Sequence, residues 1–236
     1  MVSLKEDIEE FMGVPYDEVV KHVVTAKDEY LRKLWDDMIP KEVTRKNIWD
    51  YYSSDQYAAY LFWQAVEKQD KPVMPQLLAN VMDTYFTQPH ILDFGCGDGM
   101  IALGLKSMEF NDITLADIPH RYNRFLKSIS DKYGLGFKFI PVDTLNEYPL
   151  DQKYDVIICN EVLEHVWELE ITLLHLAEHL EQLGYLYISI TLSDPGDHSQ
   201  LNVFQDVEKW YETVEGMGLK RKFQDENGVW VVFQKV

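Results

Sequence analysis

The feature that most constrains the fold of this chain is a glycine-rich loop between an apolar run and a helical pattern. The apolar run is Ile91–Phe94, and the loop that follows carries Gly95, Gly97 and Gly99. Glycine at every second position lets a backbone turn tightly and approach a ligand closely. A helix that begins near Met100 directs its unpaired N–H groups at such a ligand. The segment therefore predicts a strand, a ligand-binding loop and a helix.

From residue 90 onward, short apolar runs alternate with helical patterns, which is typical of a parallel sheet covered by helices on both faces. The end of the chain differs, because the Asn-Gly pair within residues 225–228 is a strong hairpin signal. We therefore predict an α/β fold whose sheet ends in an antiparallel pair. The predicted strands are His90–Phe94, Asp112–Asp117, Phe137–Val142, Tyr154–Asn160, Gly184–Thr191, Leu219–Gln224 and Val229–Val236. The predicted helices between them are Met100–Met108, His120–Tyr133, Val162–Glu181 and Asp206–Met217.

The first part of the chain has a different character. Residues 1–89 read mostly as helices and contain a single glycine, so we expect a helical extension or cap before a main domain at residues 90–236. Seven aromatic residues lie within residues 49–63, and such a cluster can line an apolar pocket. Tyr52 and Tyr57 are its candidates for contacts to a cofactor or substrate. Core packing and homodimer formation are the alternative roles of these helices.

Charge and composition narrow the classes of partner. The 236 residues include 22 Lys and Arg against 40 Asp and Glu, a formal charge of −18. This charge argues against broad binding to nucleic acid or to anionic membranes, unless Arg121–Arg124 and Lys220–Lys222 form one basic strip. No stretch reaches the about 18 apolar residues that a membrane span needs. The acidic N-terminus lacks the apolar core of a signal peptide, and two cysteines suggest no disulfide framework, so we expect a cytoplasmic protein.

Acidic residues at the predicted strand ends indicate what the loop binds. Asp117 ends the second strand, where a carboxylate can accept hydrogen bonds from ribose hydroxyls, and Asp143 after the third can accept from an adenine amino group. A turn without a ligand is the plainest alternative. NAD is another, but its fingerprint places the third glycine three positions after the second, whereas Gly99 comes only two positions after Gly97. Asp93 would also repel a pyrophosphate, and it suits the amino group of a methionine moiety.

At these residues the sequence resembles the class I S-adenosylmethionine-dependent methyltransferases. Residues 93–99 match their D-x-G-x-G-x-G motif, and residues 154–160 and 183–186 match the fourth strand and the lead into the fifth. The resemblance covers about residues 90–236. It implies a Rossmann-like, seven-stranded, mostly parallel sheet, S-adenosylmethionine as cofactor, and methyl transfer by direct displacement. The cofactor-binding residues that it implies are Asp93, Gly95, Cys96, Gly97, Gly99, Asp117, Ile118, Asp143, Thr144 and Asn160.

A second group of polar residues follows the fourth strand. In a helix that starts there, Glu161, Glu164 and His165 lie at i, i+3 and i+4 and share one face. Two carboxylates and an imidazole are ligands for a divalent ion such as Mg, Mn or Fe, and His198 is the candidate fourth ligand ahead of Asp194 or Asp197. This E-x-x-E-H pattern is similar to that of ubiquinone-pathway O-methyltransferases and small-RNA terminal 2′-O-methyltransferases, where it binds a divalent ion.

Two other roles stay open for these residues. Without metal, His165 or His198 could act as the catalytic base that removes a proton from an acceptor hydroxyl, and the acids could simply favour a helix N-terminus. His120, close to Asp117, is a further candidate for a substrate contact. We expect methyl transfer to a hydroxyl of a small molecule, with or without a metal. Metal-free methylation of an amine or carboxylate, a binding protein without turnover, and RNA 2′-O-methylation are the alternatives.

Overall fold

A single twisted sheet organises the chain in the computed structural model. The residues described are 4–24, 27–39, 43–69, 78–79, 82, 84–142, 150–190, 207–225 and 230–236. The strands of this part are β1 Ile91–Phe94, β2 Ile113–Asp117, β3 Lys138–Pro141, β4 Tyr154–Asn160, β5 Leu180–Ser189, β6 Leu219–Gln224 and β7 Trp230–Lys235.

Helices cover the sheet and extend before it. In the described ranges they are α1 Leu4–Met12, α2 Tyr16–Val24, α3 Lys27–Met38, α4 Arg45–Tyr52, α5 Asp55–Lys68, α6 Met100–Ser107, α7 Arg121–Tyr133, α8 Leu169–Glu178 and α9 Val207–Glu215. None of the described helices is both long enough and apolar enough to cross a membrane.

The strand order places the ligand-binding edge. The order is β3-β2-β1-β4-β5-β7-β6, with β1 to β5 parallel and β7 antiparallel to both β5 and β6. The order reverses direction between β1 and β4, and ligands of such sheets bind at the carboxyl ends of the strands at this point. The loops that leave β1 and β4 therefore lie side by side. The predicted mostly parallel sheet with an antiparallel C-terminal pair is confirmed.

The N-terminal helices share their core with one face of the sheet. Ile8 of α1, Val20 of α2 and Phe62 of α5 are buried in one cluster with Ile91 and Phe125. Burial of these side chains fixes α5 across the glycine-rich loop, since each large apolar side chain contributes about 1.5–3 kcal/mol when fully buried.

Helix α4 belongs to a smaller cluster of its own. Trp35 and Ile39 pack there against Ile48 and Tyr51 of α4. The start of α4 is fixed by a capping box, in which Thr44 accepts a hydrogen bond from the Asn47 N–H and Asn47 accepts one from the Thr44 N–H. The small cluster and the cap together hold α4 beside α5 at the carboxyl edge of the sheet.

The predicted helix Val162–Glu181 is wrong at both ends. Residues 161–168 form turns and bends, α8 begins only at Leu169, and β5 already begins at Leu180. Glu161 has a φ of 54°, a left-handed conformation that a continuous α-helix does not accommodate. The helical spacing of Glu161, Glu164 and His165 is therefore absent, and these side chains do not share one helix face.

Candidate functional site

A large cavity lies at the carboxyl edge of the sheet, between the glycine-rich loop and the N-terminal helices. Its volume is ≈ 1250 Å³, large enough for a nucleoside cofactor and a second small molecule together. The loop Gly95–Asp98 and the ends of β1, β2 and β4 form its floor, and α4 and α5 form its roof.

The three glycines of the loop are required for different structural reasons. All three have positive φ, 70° at Gly95, 49° at Gly97 and 67° at Gly99. A Cβ on Gly95 would lie 2.4 Å from Val162 Cγ2, and one on Gly99 would lie 2.8 Å from Leu126 Cδ1, so these two glycines allow close packing. A Cβ on Gly97 would meet no protein atom within 3.7 Å, since its nearest neighbour is the Gly95 carbonyl oxygen at 3.8 Å. Gly97 lines the cavity, so its missing side chain leaves room for a ligand.

Asp117 is fixed at the end of β2 by backbone donors. Its Oδ2 accepts a hydrogen bond from the Gly97 N–H at 2.6 Å, and its Oδ1 accepts one from the Ile118 N–H at 2.7 Å. Each carboxylate oxygen has a second lone pair that can accept from a ligand hydroxyl. His120 Nε2 lies 3.9 Å from Asp117 Oδ2, while His120 Nδ1 accepts from the Asn123 N–H and caps α7. This geometry suits the two hydroxyls of a ribose.

Asp93 is a buried carboxyl at the end of β1. Its side chain is 2% exposed, and its Oδ2 makes no hydrogen bond with any described residue. Burial, followed by the nearby carboxylates of Asp98 and Asp117, raises the pKa of Asp93 to about 8. A buried carboxyl without a partner fits the ammonium group of a methionine moiety, which would stabilise its charged form. The residues present therefore fit S-adenosylmethionine.

Asp98 connects this floor to the roof. Its Oδ2 accepts a hydrogen bond from Lys68 Nζ of α5 at 2.8 Å, and its Oδ1 accepts from the Met100 N–H at the start of α6. Its carbonyl oxygen accepts from the buried Tyr122 hydroxyl at 3.0 Å. Asp98 thus positions the loop instead of presenting a free carboxylate to a ligand.

Aromatic rings of α4 and α5 form the roof. Tyr52, Tyr57 and Tyr60 line the cavity, and the ring centroids of Tyr52 and Tyr57 lie 5.0 Å apart, edge to face. Burial raises the pKa of the Tyr57 phenol well above its usual value, so this hydroxyl stays protonated. The Tyr52 ring also lies 5.6 Å from the ring of His165, which lines the cavity too. The roof is therefore rich in aromatic rings, and an imidazole adjoins it on one side.

The segment after β4 separates the two glutamates. Glu161 lines the cavity, and its Oε1 accepts a hydrogen bond from the Ser189 hydroxyl. Glu164 is 1% exposed and does not line the cavity; burial raises the pKa of the Cys159 thiol, and the nearby charge of Glu164 raises it further. The predicted three-ligand corner of Glu161, Glu164 and His165 is therefore not assembled. Within the described ranges no three His, Cys, Asp or Glu side chains form a group that could hold a metal ion.

Most of the sequence-predicted residues meet at one cavity. Gly99 caps α6 and, like Glu164, lies outside the cavity wall. Asp143, Thr144, Asp194, Asp197 and His198 lie outside the described residues. The predicted residues that line the cavity are Tyr52, Tyr57, Asp93, Gly95, Cys96, Gly97, Asp117, Ile118, His120, Asn160, Glu161 and His165.

Several residues of the cavity have no obvious signal in the sequence. Arg45, Ile48, Gln64 and Lys68 line it because α4 and α5 turn one face towards the loop. The spacing of Arg45, Ile48 and Tyr52, at i, i+3 and i+7, does indicate a shared helix face. Nothing local indicates that this face covers a cavity.

Comparison with known proteins identifies the family. The sequence profile of the family described as "Methyltransferase domain" matches residues 65–226, which is more than half of the chain. This chain belongs to that methyltransferase family. The matched range begins within α5 and includes every strand except β7, so it contains the glycine-rich loop and the segment after β4.

Curated relatives match a shorter part of the chain. The ubiquinone biosynthesis O-methyltransferase of Rickettsia prowazekii (strain Madrid E) is 36% identical over 99 residues, which are 42% of this chain and 38% of that protein. Its counterpart from Rickettsia conorii is 32% identical over 108 residues, 46% of this chain and 37% of that protein. The chain thus matches under two fifths of the length of these relatives.

Solved structures show the same fold. An O-methyltransferase family protein from Burkholderia thailandensis superposes with a TM-score of 0.62 at 14% identity, over 94% of this chain and 72% of that one. The 1,6-didemethyltoxoflavin-N1-methyltransferase of Burkholderia thailandensis, solved with bound 1,6-didemethyltoxoflavin and S-adenosylhomocysteine, has a TM-score of 0.54 at 14% identity, over 77% of this chain and 89% of that one. At these identities the likeness concerns the fold alone.

Proposed function

We propose that this protein transfers a methyl group from S-adenosylmethionine to a hydroxyl group of a small aromatic molecule. The observation that carries the proposal is the continuity of one cavity. Asp93, Gly97 and Asp117 line its floor, which we call the cofactor end, and the aromatic roof with His165 lines the same cavity and is called the acceptor end. The O-methyltransferase relatives support the choice of a hydroxyl acceptor.

The residues of the cofactor end bind and orient S-adenosylmethionine. When bound there, S-adenosylmethionine supplies an electrophilic methyl group on a cationic sulfonium. Asp93 accepts hydrogen bonds from the ammonium of the methionine moiety, and Asp117 accepts them from the ribose hydroxyls. The open face of Gly97 lets the ligand approach the backbone. Asp93 and Asp117 thus favour a cationic group of the ligand, whereas Asp98 is paired with Lys68.

The acceptor end positions a hydroxyl and removes its proton. A hydroxyl is a weak nucleophile until a base takes its proton, and a positioned imidazole contributes about 10²–10⁴-fold to such a step. His165 is the base on the cavity wall, and its ring faces that of Tyr52. The roof tyrosines exclude water and hold a flat acceptor against the floor.

The test is the product and its dependence on His165. Protein and methyl-labelled S-adenosylmethionine are incubated with phenols, catechols and matched aromatic amines, and the labelled product is identified by NMR. We expect O-methylated product, and we expect His165→Gln to lower kcat by about 10²–10⁴-fold while the S-adenosylhomocysteine affinity stays unchanged.

His90→Gln is the matched control, because His90 is exposed at the opposite end of β1 and pairs with Asp112. We expect wild-type kcat from it. Methylation of the amines alone, or full turnover by His165→Gln, would overturn the proposal.

A further inference from the structure

Arg45 and Tyr52 of helix α4 line the same wall of the cavity. Arg45, Ile48 and Tyr52 lie at i, i+3 and i+7 of this helix and all line the cavity. Two of them also reach the segment after β4. Tyr52 faces the His165 ring at 5.6 Å, and Arg45 pairs through Nη2 with Glu168. Helix and segment thus run past each other, with His165 at one end of the shared wall and Arg45 at the other.

The Arg45 guanidinium has hydrogen-bonding capacity to spare. Its pairing with Glu168 uses Nη2, whereas its Nε is buried and has no acceptor among the described residues. A guanidinium has five N–H donors in a planar fork that suits a carboxylate, so donors remain for a ligand besides the pairing with Glu168. The side chain of Arg45 is 35% exposed, so a ligand in the cavity can reach it.

The two lysines that line the cavity already donate hydrogen bonds to protein groups. Lys68 donates to the buried Asp98, and Lys106 donates to Asn111 Oδ1. The chain as a whole carries −18, so a negatively charged ligand is repelled unless a local cation offsets the field. Arg45 is placed to supply that cation at the acceptor end when a ligand carboxylate takes over from Glu168.

We infer that the acceptor is an aromatic hydroxy acid whose carboxylate binds Arg45 while its hydroxyl lies at His165. This inference rests on the proposed function and names the substrate class of the same site. Seven residues of helix separate Arg45 from Tyr52, which is about 10 Å along the axis at 1.5 Å per residue. The hydroxyl and the carboxylate therefore lie at opposite ends of the acceptor, as in a 4-hydroxycinnamate, with the ring between Ile48 and Tyr52.

Binding to protein loaded with S-adenosylhomocysteine tests the inference without requiring turnover. Calorimetry compares 4-hydroxycinnamate, its neutral methyl ester and 2-hydroxybenzoate, whose two groups are adjacent. We expect 4-hydroxycinnamate to bind at least tenfold more tightly than the other two. Arg45→Gln should remove this advantage and leave the affinity for the ester unchanged. Arg45→Lys, which keeps the charge but not the planar fork, should retain part of it.

Two further variants separate recognition from a structural role. Glu168→Gln removes the competing carboxylate, so we expect severalfold tighter binding of the acid and no change for the ester. Arg121→Gln breaks another ion pair of the roof, with Asp55 of α5, but Arg121 does not line the cavity. We expect it to leave both affinities unchanged.

Equal affinity for acid and ester in the wild type, no binding of the acid at millimolar concentration, or equal losses for both ligands in Arg45→Gln would each overturn the inference. Tight Arg45-dependent binding of the acid without O-methylation would instead count against the proposed function and leave the carboxylate site standing.

Discussion

The two ends of the cavity are built in different ways. The cofactor end comes from strand ends and one short loop, and backbone N–H groups hold Asp117 in place. The acceptor end comes from α4 and the segment 161–168, which are far apart in the chain and meet through Tyr52–His165 and Arg45–Glu168 contacts. Binding of S-adenosylmethionine thus depends on local geometry, whereas recognition of the acceptor depends on tertiary packing. Substitutions at one end should leave the other end intact.

The largest effect is expected from Gly97→Ala. The added Cβ meets no protein atom within 3.7 Å but enters the space of the cofactor, so we expect the S-adenosylhomocysteine affinity to fall by about 100-fold, or 2.7 kcal/mol. Gly134→Ala is the control, because Gly134 has a φ of 62°, has nothing within 4 Å of its added Cβ and lies outside the cavity. Both variants carry the strain of a left-handed alanine, about 1–2 kcal/mol. If calorimetry gave the same S-adenosylhomocysteine affinity for Gly97→Ala and Gly134→Ala, Gly97 would not be part of the cofactor site.

This asymmetry also explains what the sequence could predict. Gly95, Gly97 and Asp117 are recognisable because a loop with positive φ and a strand-end acid leave local patterns. The error at residues 161–168 has a physical cause. Acids and apolar residues there fit a helical period, but Glu161 turns left-handed and the chain reaches Leu169 before a helix begins. Which face of α4 covers the cavity depends on packing, so Arg45 was not predictable.

The second effect concerns pH at the cofactor end. The pKa of Asp93 is raised to about 8 in the cofactor-free protein, so this carboxyl is mostly protonated at pH 7, and an ammonium ligand must displace its proton. We therefore expect S-adenosylhomocysteine to bind more tightly as pH rises from 6 to 8, by up to about tenfold per pH unit.

The same shift makes the cofactor-free protein less stable as pH rises from the unfolded-state pKa of Asp93 towards 8, because the folded state holds the proton more tightly. Asp93→Asn should bind S-adenosylhomocysteine weakly. Neither its affinity nor its stability should show the pH dependence expected of the wild type. Calorimetry in buffers of different ionisation enthalpy counts the protons released. A pH-independent wild-type affinity would contradict the buried neutral carboxyl. Asp98 and Asp117 are the other carboxyls that face it, and their variants are the checks on the assignment.

The third effect separates the two glutamates of the segment after β4. We expect Glu164→Ala to lower the free energy of unfolding by about 2 kcal/mol, since it empties a buried position. Its S-adenosylhomocysteine affinity should stay at the wild-type value. Glu161→Gln should keep the stability and lower kcat/KM for the acceptor. Urea unfolding measures the free energy of unfolding, and steady-state kinetics measure kcat/KM. Equal loss of a metal-dependent activity in both variants would restore the metal corner that the structure does not assemble.

The smallest effect is expected at the cap of α4. Thr44→Ala removes one half of the capping box, which should cost about 1 kcal/mol of stability in urea unfolding. Ser128→Ala is the control, because the Ser128 hydroxyl bonds to the Phe125 carbonyl of its own helix and Ser128 does not line the cavity. The acceptor KM should rise in Thr44→Ala while the cofactor affinity stays constant. A weaker cofactor affinity would mean that the two ends are coupled through the roof.

Hydrogen exchange of the backbone amides, with and without S-adenosylhomocysteine, tests the separation of the two ends most directly. We expect the ligand to slow exchange in the loop Gly95–Asp98 and at Ile118, and to leave α4 unchanged until an acceptor is added. Slower exchange across α4 with cofactor alone, and none at the glycine-rich loop, would contradict it.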